Sequence, residues 1–364
     1  MSRKKIFGII AALAAVLLAF LWAYSQRMNS QGLAQRLVTA IDKDLKSASP
    51  GRGGITGLAY DEENNRLLVA WTDGYFEMWD AAEGSKRRLN AWQEREADRA
   101  LAAGSLRFTR DGQRFFTNSP IKGVQLWGVK TGALLHTMSE SEPFMFQGPA
   151  TYAGAGDLYL LLGMSGMQFF DGQKKTLHPA APDIGASMPA VAAHPQSGLV
   201  AISATDAIFQ PEAAHHLRLF KLTADDGPPR LTPVKEITFN NGAGGYILAA
   251  AFAPDGQSLY TVSTSGLVEE WSTPALELIE TRSLELKGVY EAEFRPERGL
   301  LAVAGYVGLN RVDGDHLVKV ISLDSGQAVT APAASIETRI EFIPKIDRVL
   351  AIHGRRASLI DTPR

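Results

Sequence analysis

The sequence of 364 residues contains no cysteine. This absence excludes disulfides, thiolate metal sites, a cysteine nucleophile and a lipid-modified cysteine anchor. It does not identify the compartment, because a cysteine-free protein tolerates an oxidising space without requiring one.

A strong charge of one sign is missing as well. The chain has 37 Lys and Arg against 39 Asp and Glu, a net charge of -2. The general basic field that nucleic-acid binding needs is therefore absent, and we expect no nucleic-acid partner.

Familiar catalytic motifs are also absent. There is no G-x-S-x-G elbow and no phosphate-binding loop. None of the seven histidines has the spacing of a helical zinc site, and the adjacent His215 and His216 would point to opposite faces of a strand. The sequence therefore predicts no catalytic, cofactor-binding or metal-binding residues.

One long hydrophobic run is present near the N-terminus. Residues Ile6–Tyr24 carry no charge. As a helix rising about 1.5 Å per residue, they would span the hydrocarbon core of a bilayer. Arg3, Lys4 and Lys5 precede the run, so the positive-inside rule predicts a cytoplasmic N-terminus, an inner-membrane anchor and a periplasmic or other extracytoplasmic remainder.

Two alternatives accompany this anchor. A cleaved signal peptide is the competing interpretation, although Ala23-Tyr24-Ser25 is a poor small-x-small cleavage site. Alanines recur at four-residue spacing, which predicts either a packing stripe for another membrane helix or simple alanine-rich composition. The stripe consists of Ala11, Ala15, Ala19 and Ala23.

A second helix is predicted after the anchor, from about residue 31 to residue 48. Leu33, Leu37, Ile41 and Leu45 repeat every four residues, which is typical of an amphipathic helix. A strand over Leu37–Asp42 is the alternative. The segment 47–54 contains Ser, Pro and Gly and predicts a flexible break.

From Ile55 onward the sequence repeats. Each repeat has an apolar or aromatic residue before a turn rich in Pro, Asp or Gly, and a hydrophobic strand follows the turn. The seven turn residues are Tyr60, Phe108, Tyr152, Ala193, Phe252, Phe294 and Phe342.

Each repeat also contains a bulky apolar residue farther along. These seven residues are Trp79, Trp127, Phe170, Phe220, Trp271, Ile321 and Ile360. Their offsets from the turn residues are 19, 19, 18, 27, 19, 27 and 18 positions. The regular spacing predicts four-stranded blades in which the bulky residue lies on the third strand and packs between neighbouring sheets. Because a lone blade cannot bury both faces, the blades must close into a ring.

The repeats resemble the WD-repeat family over about residues 55–364. Trp79-Asp80 reproduces the terminal dipeptide of that family, and Phe252-Ala253-Pro254-Asp255-Gly256 matches its first turn. Trp127 followed by Lys130-Thr131-Gly132 is similar to its turn into the outer strand. The resemblance implies a β-propeller that acts as a scaffold.

The sequence departs from the family pattern in two respects. The Gly-His dipeptide before each first strand is missing, and only one repeat keeps Trp-Asp. The buried His-Asp-Ser-Trp network of the family therefore cannot be transferred, and a quinoprotein-like or other bacterial propeller stays open. The predicted fold is all-β, a seven-bladed propeller with six or eight blades as alternatives.

The predicted organisation has three parts. They are a cytoplasmic stub and anchor (1–27), a linker helix and flexible break (28–54), and the propeller (55–364). The offsets of 27 indicate longer loops in blades four and six, which would form one recognition lip with the connection at residues 240–245. The best candidates there are Ile208, Phe209, Tyr306, Leu309, Asn310 and Arg311.

The predicted function is a non-catalytic scaffold or accessory subunit of a membrane complex. Its partners would be membrane or periplasmic proteins and, through residues 6–24, the lipid bilayer. A periplasmic propeller enzyme or quinone-cofactor protein is the first alternative. It requires carboxylates, His or Arg that converge at the channel. A ligand-binding sensor is the second.

Overall fold

A computed structural model describes most of the chain from residue 32 onward. Nothing is described for residues 1–31, 33–34, 44, 46–53, 72–74, 82, 90–104, 120–122, 138–150, 155–156, 164–165, 181–189, 206–213, 225–226, 240–244, 309–314, 334–337, 354–355 and 364.

The described strands form seven antiparallel sheets, each made of strands consecutive in sequence. Blade one comprises β1 (Ile55–Asp61), β2 (Arg66–Trp71), β3 (Phe76–Asp80) and β4 (Lys86–Leu89). Blade two comprises β5 (Ser105–Phe108), β6 (Arg114–Ser119), β7 (Gly123–Gly128) and β8 (Leu134–Thr137). Blade three comprises β9 (Thr151–Gly154), β10 (Leu158–Gly163), β11 (Gly166–Asp171) and β12 (Thr176–Ala180). Blade four comprises β13 (Ala190–His194), β14 (Leu199–Thr205), β15 (His215–Thr223) and β16 (Arg230–Phe239). Blade five comprises β17 (Ile247–Phe252), β18 (Ser258–Ser263), β19 (Leu267–Ser272) and β20 (Leu278–Ser283). Blade six comprises β21 (Gly288–Arg295), β22 (Leu300–Val307), β23 (Asp315–Ser322) and β24 (Ala328–Ala333). Blade seven comprises β25 (Arg339–Ile343), β26 (Arg348–His353) and β27 (Arg356–Asp361).

The turns between first and second strands use the residues that the repeats predicted. Gly112 and Gly256 have φ of 61° and 70°, which explains the recurrent Asp-Gly pair. In blades six and seven, short 3-10 helices replace this turn: η1 (Pro296–Arg298) and η2 (Pro344–Ile346).

The hydrophobic core consists of seven clusters, one in each seam between neighbouring blades. The last cluster joins blade seven to blade one through Leu350 and Ile352 on one side and Leu67 and Val69 on the other. Seven seams for seven blades mean that the ring is closed. The predicted seven-bladed propeller is therefore confirmed.

The bulky third-strand residues occupy these seams. Trp127 packs in the seam of blades one and two, and Trp79 in that of blades seven and one. Each of the other five lies in a different seam and is also buried: Phe170, Phe220, Trp271, Ile321 and Ile360. One side chain of this kind per seam explains the regular spacing in the sequence.

A helix, α1, includes residues 35–43 and 45. Leu37, Ile41 and Leu45 are buried against blades one and seven in the closing seam. Residues 37–42 are thus helical rather than extended, and the helix packs beside β27, the last described strand of the three-stranded blade seven.

The predicted anchor and the alanines at positions 11, 15, 19 and 23 lie outside the described residues. Within the described part of the chain, no helix has the length and apolar character needed to cross a membrane.

Candidate functional site

The innermost strand of each blade borders the central channel of the ring. Neighbouring innermost strands contact one another, as β1 does β5 and β25. The residue immediately before each first-turn residue is equivalent in all blades. In order, these residues are Ala59, Arg107, Thr151, Ala192, Ala251, Glu293 and Glu341. The position is therefore charged in blades two, six and seven and small in the other four.

Two of these charged residues share one arginine. Arg295 Nη2 lies 2.9 Å from Glu293 Oε1 and 3.1 Å from Glu341 Oε1. Glu293 and Arg295 both belong to β21, and their side chains lie on the same face because a strand alternates with a period of two. The guanidinium thus joins blade six to blade seven.

Both carboxylates also accept backbone hydrogen bonds from the next blade. The amide of Phe342 donates to Glu293 Oε2 at 2.9 Å, and the amide of Tyr60 donates to Glu341 Oε1 at 3.1 Å. These bonds cross the two seams on either side of blade seven. They are possible because this face of each innermost strand points toward the following blade.

A second ion pair lies on the same strands. Arg339 Nη1 lies 2.9 Å from Glu291 Oε2, and Arg339 Nε donates to the carbonyl of Thr56 at 2.9 Å. Blade seven is therefore tied to blades six and one by two arginines and three glutamates, all on innermost strands.

Burial is the largest influence on the pKa values of the three glutamates. It raises the pKa of Glu341 well above its usual range, and the neighbouring Glu293 raises it further against the effect of Arg295. Burial likewise raises the pKa of Glu293 and Glu291, although Arg295 and Arg339 oppose it. Burial lowers the pKa of Arg295, but Glu293 and Glu341 outweigh burial and leave that pKa raised.

Arg107 approaches this cluster from blade two. Burial lowers its pKa, and the charge of Arg295 lowers it further, whereas Glu293 and Glu341 raise it. The side chain of Arg107 is exposed to solvent. Arg295, Glu293 and Glu341 thus meet from blades six and seven, and their charges influence Arg107 of blade two; we name these four residues the channel cluster.

The channel cluster was not among the residues predicted from the sequence. The available signal was the position before the first-turn residue, which is charged in only three repeats. Its proximity to Arg107 depends on ring closure, which no local spacing reveals.

Of the six predicted lip residues, only Tyr306 lies within the described residues. It is half-buried near the end of β22, with its ring 6.4 Å from the ring of His316. A Cβ at Gly288 would overlap the Tyr306 ring, so the ring packs directly on this glycine. Ile208, Phe209, Leu309, Asn310 and Arg311 fall outside the described residues.

Across the described ranges, no group of three or more His, Asp or Glu side chains is arranged to hold a metal ion. Fold and cluster together define the class of protein: a seven-bladed β-propeller with charged residues on the innermost strands of blades two, six and seven. No protein-family model matches the sequence. No curated protein is significantly similar to it.

Proposed function

We propose that this chain is a membrane-anchored, WD-repeat-like propeller that acts as a non-catalytic scaffold or accessory subunit of a membrane protein complex. The propeller would lie on the periplasmic or extracytoplasmic side. Its partners would be membrane or periplasmic proteins.

The position of α1 is the observation that carries this proposal. Its buried residues Leu37, Ile41 and Leu45 belong to the seam that closes the ring. Only ten residues separate Tyr24, where the apolar run ends, from Gln35 in the helix. At about 3.3–3.6 Å per residue, they reach at most about 35 Å. The proposed anchor would therefore hold the propeller close to the bilayer, where subunits of a membrane complex are accessible.

Hydrogen bonds in two blades support a kinship with WD repeats. The indole of Trp127 donates to Thr117 Oγ1 at 3.0 Å, and that of Trp271 to Thr261 Oγ1 at 3.1 Å. These two bonds correspond to the hydroxyl–indole bond of the His-Asp-Ser-Trp network that is typical of WD repeats. The full network cannot be transferred to this sequence. We infer that the repeats are degenerate WD repeats.

Crosslinking in native membranes, followed by mild-detergent purification of the full chain and mass spectrometry, tests the scaffold role. We expect the wild-type chain to co-purify with defined partners. The double variant Phe209→Asp, Arg311→Glu in the lip should no longer co-purify with them. Lys130→Glu, in the exposed turn before β8 on the opposite face, is the matched control and should retain them. A solitary monomer, or partners that survive the lip substitutions, would contradict the proposal.

A second candidate function is favoured by a different observation. The propeller-enzyme alternative required convergent carboxylates, His or Arg at the channel, and the channel cluster supplies carboxylates and arginines. Carboxylates with raised pKa values in a cleft are common in catalytic sites. Against this candidate, Glu293 and Glu341 each bind Arg295 and a backbone amide. A cofactor absorbance in the natively purified protein would favour the propeller enzyme over the scaffold.

A further inference from the structure

We propose that the outer edge of β20, the outermost strand of blade five, pairs antiparallel with the same strand of a second copy of this chain. Thr281 would lie opposite its own counterpart, and Glu280 would lie opposite Arg282 of the second copy. This inference goes beyond the scaffold role and does not depend on it, since it uses neither the lip nor the membrane anchor.

The outer edge of β20 is covered by no described strand. β20 pairs with β19 and ends the four-stranded sheet of blade five. Beyond its end, the amide of Leu284 donates to the carbonyl of Gly266 at 2.8 Å. Bonded positions alternate along an antiparallel pair, so Arg282 and Glu280 also direct their backbone groups toward β19. The N–H and C=O groups of Thr281 therefore point outward, where a further strand can bind them.

The outer edges of the other blades carry features that block strand pairing. Proline occurs in β12, β16 and β24, at Pro179, Pro233 and Pro332. β4 carries three consecutive basic residues at 86–88, β8 has only four residues, and α1 packs beside β27. β20 has six residues and contains neither proline nor lysine. Proline, lysine, short length and a covering helix are the usual protection of edge strands, and β20 lacks all four.

Two exposed apolar side chains lie at the start of β20. Leu278 is 51% exposed and Ile279 is 56% exposed, the largest value for a large apolar side chain among the described residues. Ile279 is the extra residue of a bulge in the pairing with β19, and the bulge precedes the regular segment 280–283. A second copy on that segment would cover part of this apolar surface, which favours association.

The charges of β20 favour a second copy as the partner and determine the register. In a two-fold symmetric antiparallel pair, one residue faces its own counterpart. If that residue is Thr281, Glu280 faces Arg282 twice, at the non-hydrogen-bonded positions where side chains approach most closely. A pair centred on Glu280 or on Arg282 would instead bring two like charges together. The edge is therefore complementary to itself in the register centred on Thr281.

The ion pair within β20 is compatible with this arrangement. Arg282 Nε lies 2.7 Å from Glu280 Oε1, and Arg282 Nη2 lies 2.5 Å from Glu280 Oε2. Arg282 Nη1 donates to the carbonyl of Leu323 in blade six. One N–H remains on each terminal nitrogen of the guanidinium, so Arg282 can bind Glu280 of the second copy without losing these bonds. The contact with blade six also holds the guanidinium in place.

Disulfide trapping of the full chain tests the contact, because the chain has no cysteine and an introduced thiol can pair only with a second copy. Opposed residues in a hydrogen-bonded antiparallel pair lie about 5.5 Å apart at Cα, which a disulfide can span. We expect Thr281→Cys to form a covalent dimer under mild oxidation in detergent, seen on a non-reducing gel. Thr330→Cys, at an exposed position of the proline-containing outer strand β24, is the matched control and should stay monomeric.

Charge reversal tests the register. In the Thr281→Cys background, Glu280→Arg and Arg282→Glu each place like charges opposite one another twice. Each should slow disulfide formation by about tenfold. An equimolar mixture of the two variants restores both opposite-charge pairs, so a covalent dimer of one chain of each kind should form at the original rate.

Two results would overturn the proposal. One is a Thr281→Cys chain that crosslinks no faster than Thr330→Cys, which needs no charge variant to be interpreted. The other is a mixture of the charge variants that crosslinks no faster than either variant alone. Circular dichroism of each variant before oxidation checks that it is folded.

Discussion

The amide of Tyr60 donates a hydrogen bond of 3.1 Å to the carboxylate of Glu341, although 281 positions separate the two residues. The bond joins the first blade to the last at the inner edge of the closing seam. At the outer part of the same seam, α1 packs on blades one and seven. The ring is therefore closed by a polar contact inside and an apolar helix outside.

Burial of Glu341 and the neighbouring charge of Glu293 make the stability of the protein depend on pH, and the bond from Tyr60 opposes them. Because the pKa of Glu341 is raised in the folded protein, the folded state holds this proton more firmly than the unfolded chain does. The free energy of unfolding should then fall as the pH rises from about 4.3, the ordinary glutamate value, toward the raised pKa. We expect urea unfolding curves to show this fall, and Glu341→Gln to make it shallower.

A matched variant separates this effect from a general loss of negative charge. Glu277 lies exposed in the turn before β20. Glu277→Gln should keep the wild-type slope of stability against pH. If Glu341→Gln also keeps it, Glu341 does not control the pH dependence.

The apolar contacts of α1 in the closing seam predict that a substitution in this helix destabilises the protein. Ile41 is buried at 2% exposure among Leu37, Trp79 and Leu350. Ile41→Ala should lower the free energy of unfolding by about 2–5 kcal/mol, since it removes buried methyl groups and leaves a cavity. Thr39→Ala, on the exposed face of the same helix, should change it by less than about 0.5 kcal/mol. Urea unfolding followed by tryptophan fluorescence measures both, and equal values would mean that the helix does not stabilise the ring.

Local packing explains what the sequence revealed. Trp127 and its six counterparts recur because every seam needs a bulky third-strand residue, and Gly112 recurs because its turn needs a positive φ. Both requirements act within one repeat, so spacing exposes them. The channel cluster obeys no such requirement. Glu341 contacts Tyr60 only after the ring closes. The position before the first-turn residue is charged in only three blades, so it does not recur as part of the sequence repeat.

The ion pairs between blades should differ in strength according to their burial. Arg114 bridges blades two and three, with Nη2 at 2.6 Å from Asp157 and Nη1 donating to the carbonyl of Gly172. Arg298 makes a comparable pair with Asp347 at 2.7 Å, but both side chains are far more exposed. Arg114→Gln should cost about 1.5–3 kcal/mol and Arg298→Gln about 0–1 kcal/mol. Equal losses in urea unfolding would show that burial does not govern these pairs.

Blade one offers a test of the threonine–tryptophan bond. Thr117 accepts from Trp127 in blade two, and the equivalent pair in blade one is Val69 and Trp79. Within the described residues, the buried Nε1 of Trp79 has no hydrogen-bond partner. Val69→Thr would supply an acceptor, so the cost of burying a hydroxyl is offset by the new bond. We expect the free energy of unfolding to change by less than about 1 kcal/mol.

The same substitution in blade six lacks that compensation. Val303 occupies the equivalent position, and its third-strand counterpart is Ile321, which cannot donate a hydrogen bond. Val303→Thr buries an unpaired hydroxyl and should cost about 1–3 kcal/mol. The difference between the two variants in urea unfolding isolates the indole bond, because the substitution and the burial are matched. If Val69→Thr is as destabilising as Val303→Thr, the hydroxyl does not reach Trp79, and blade one differs in geometry from blades two and five.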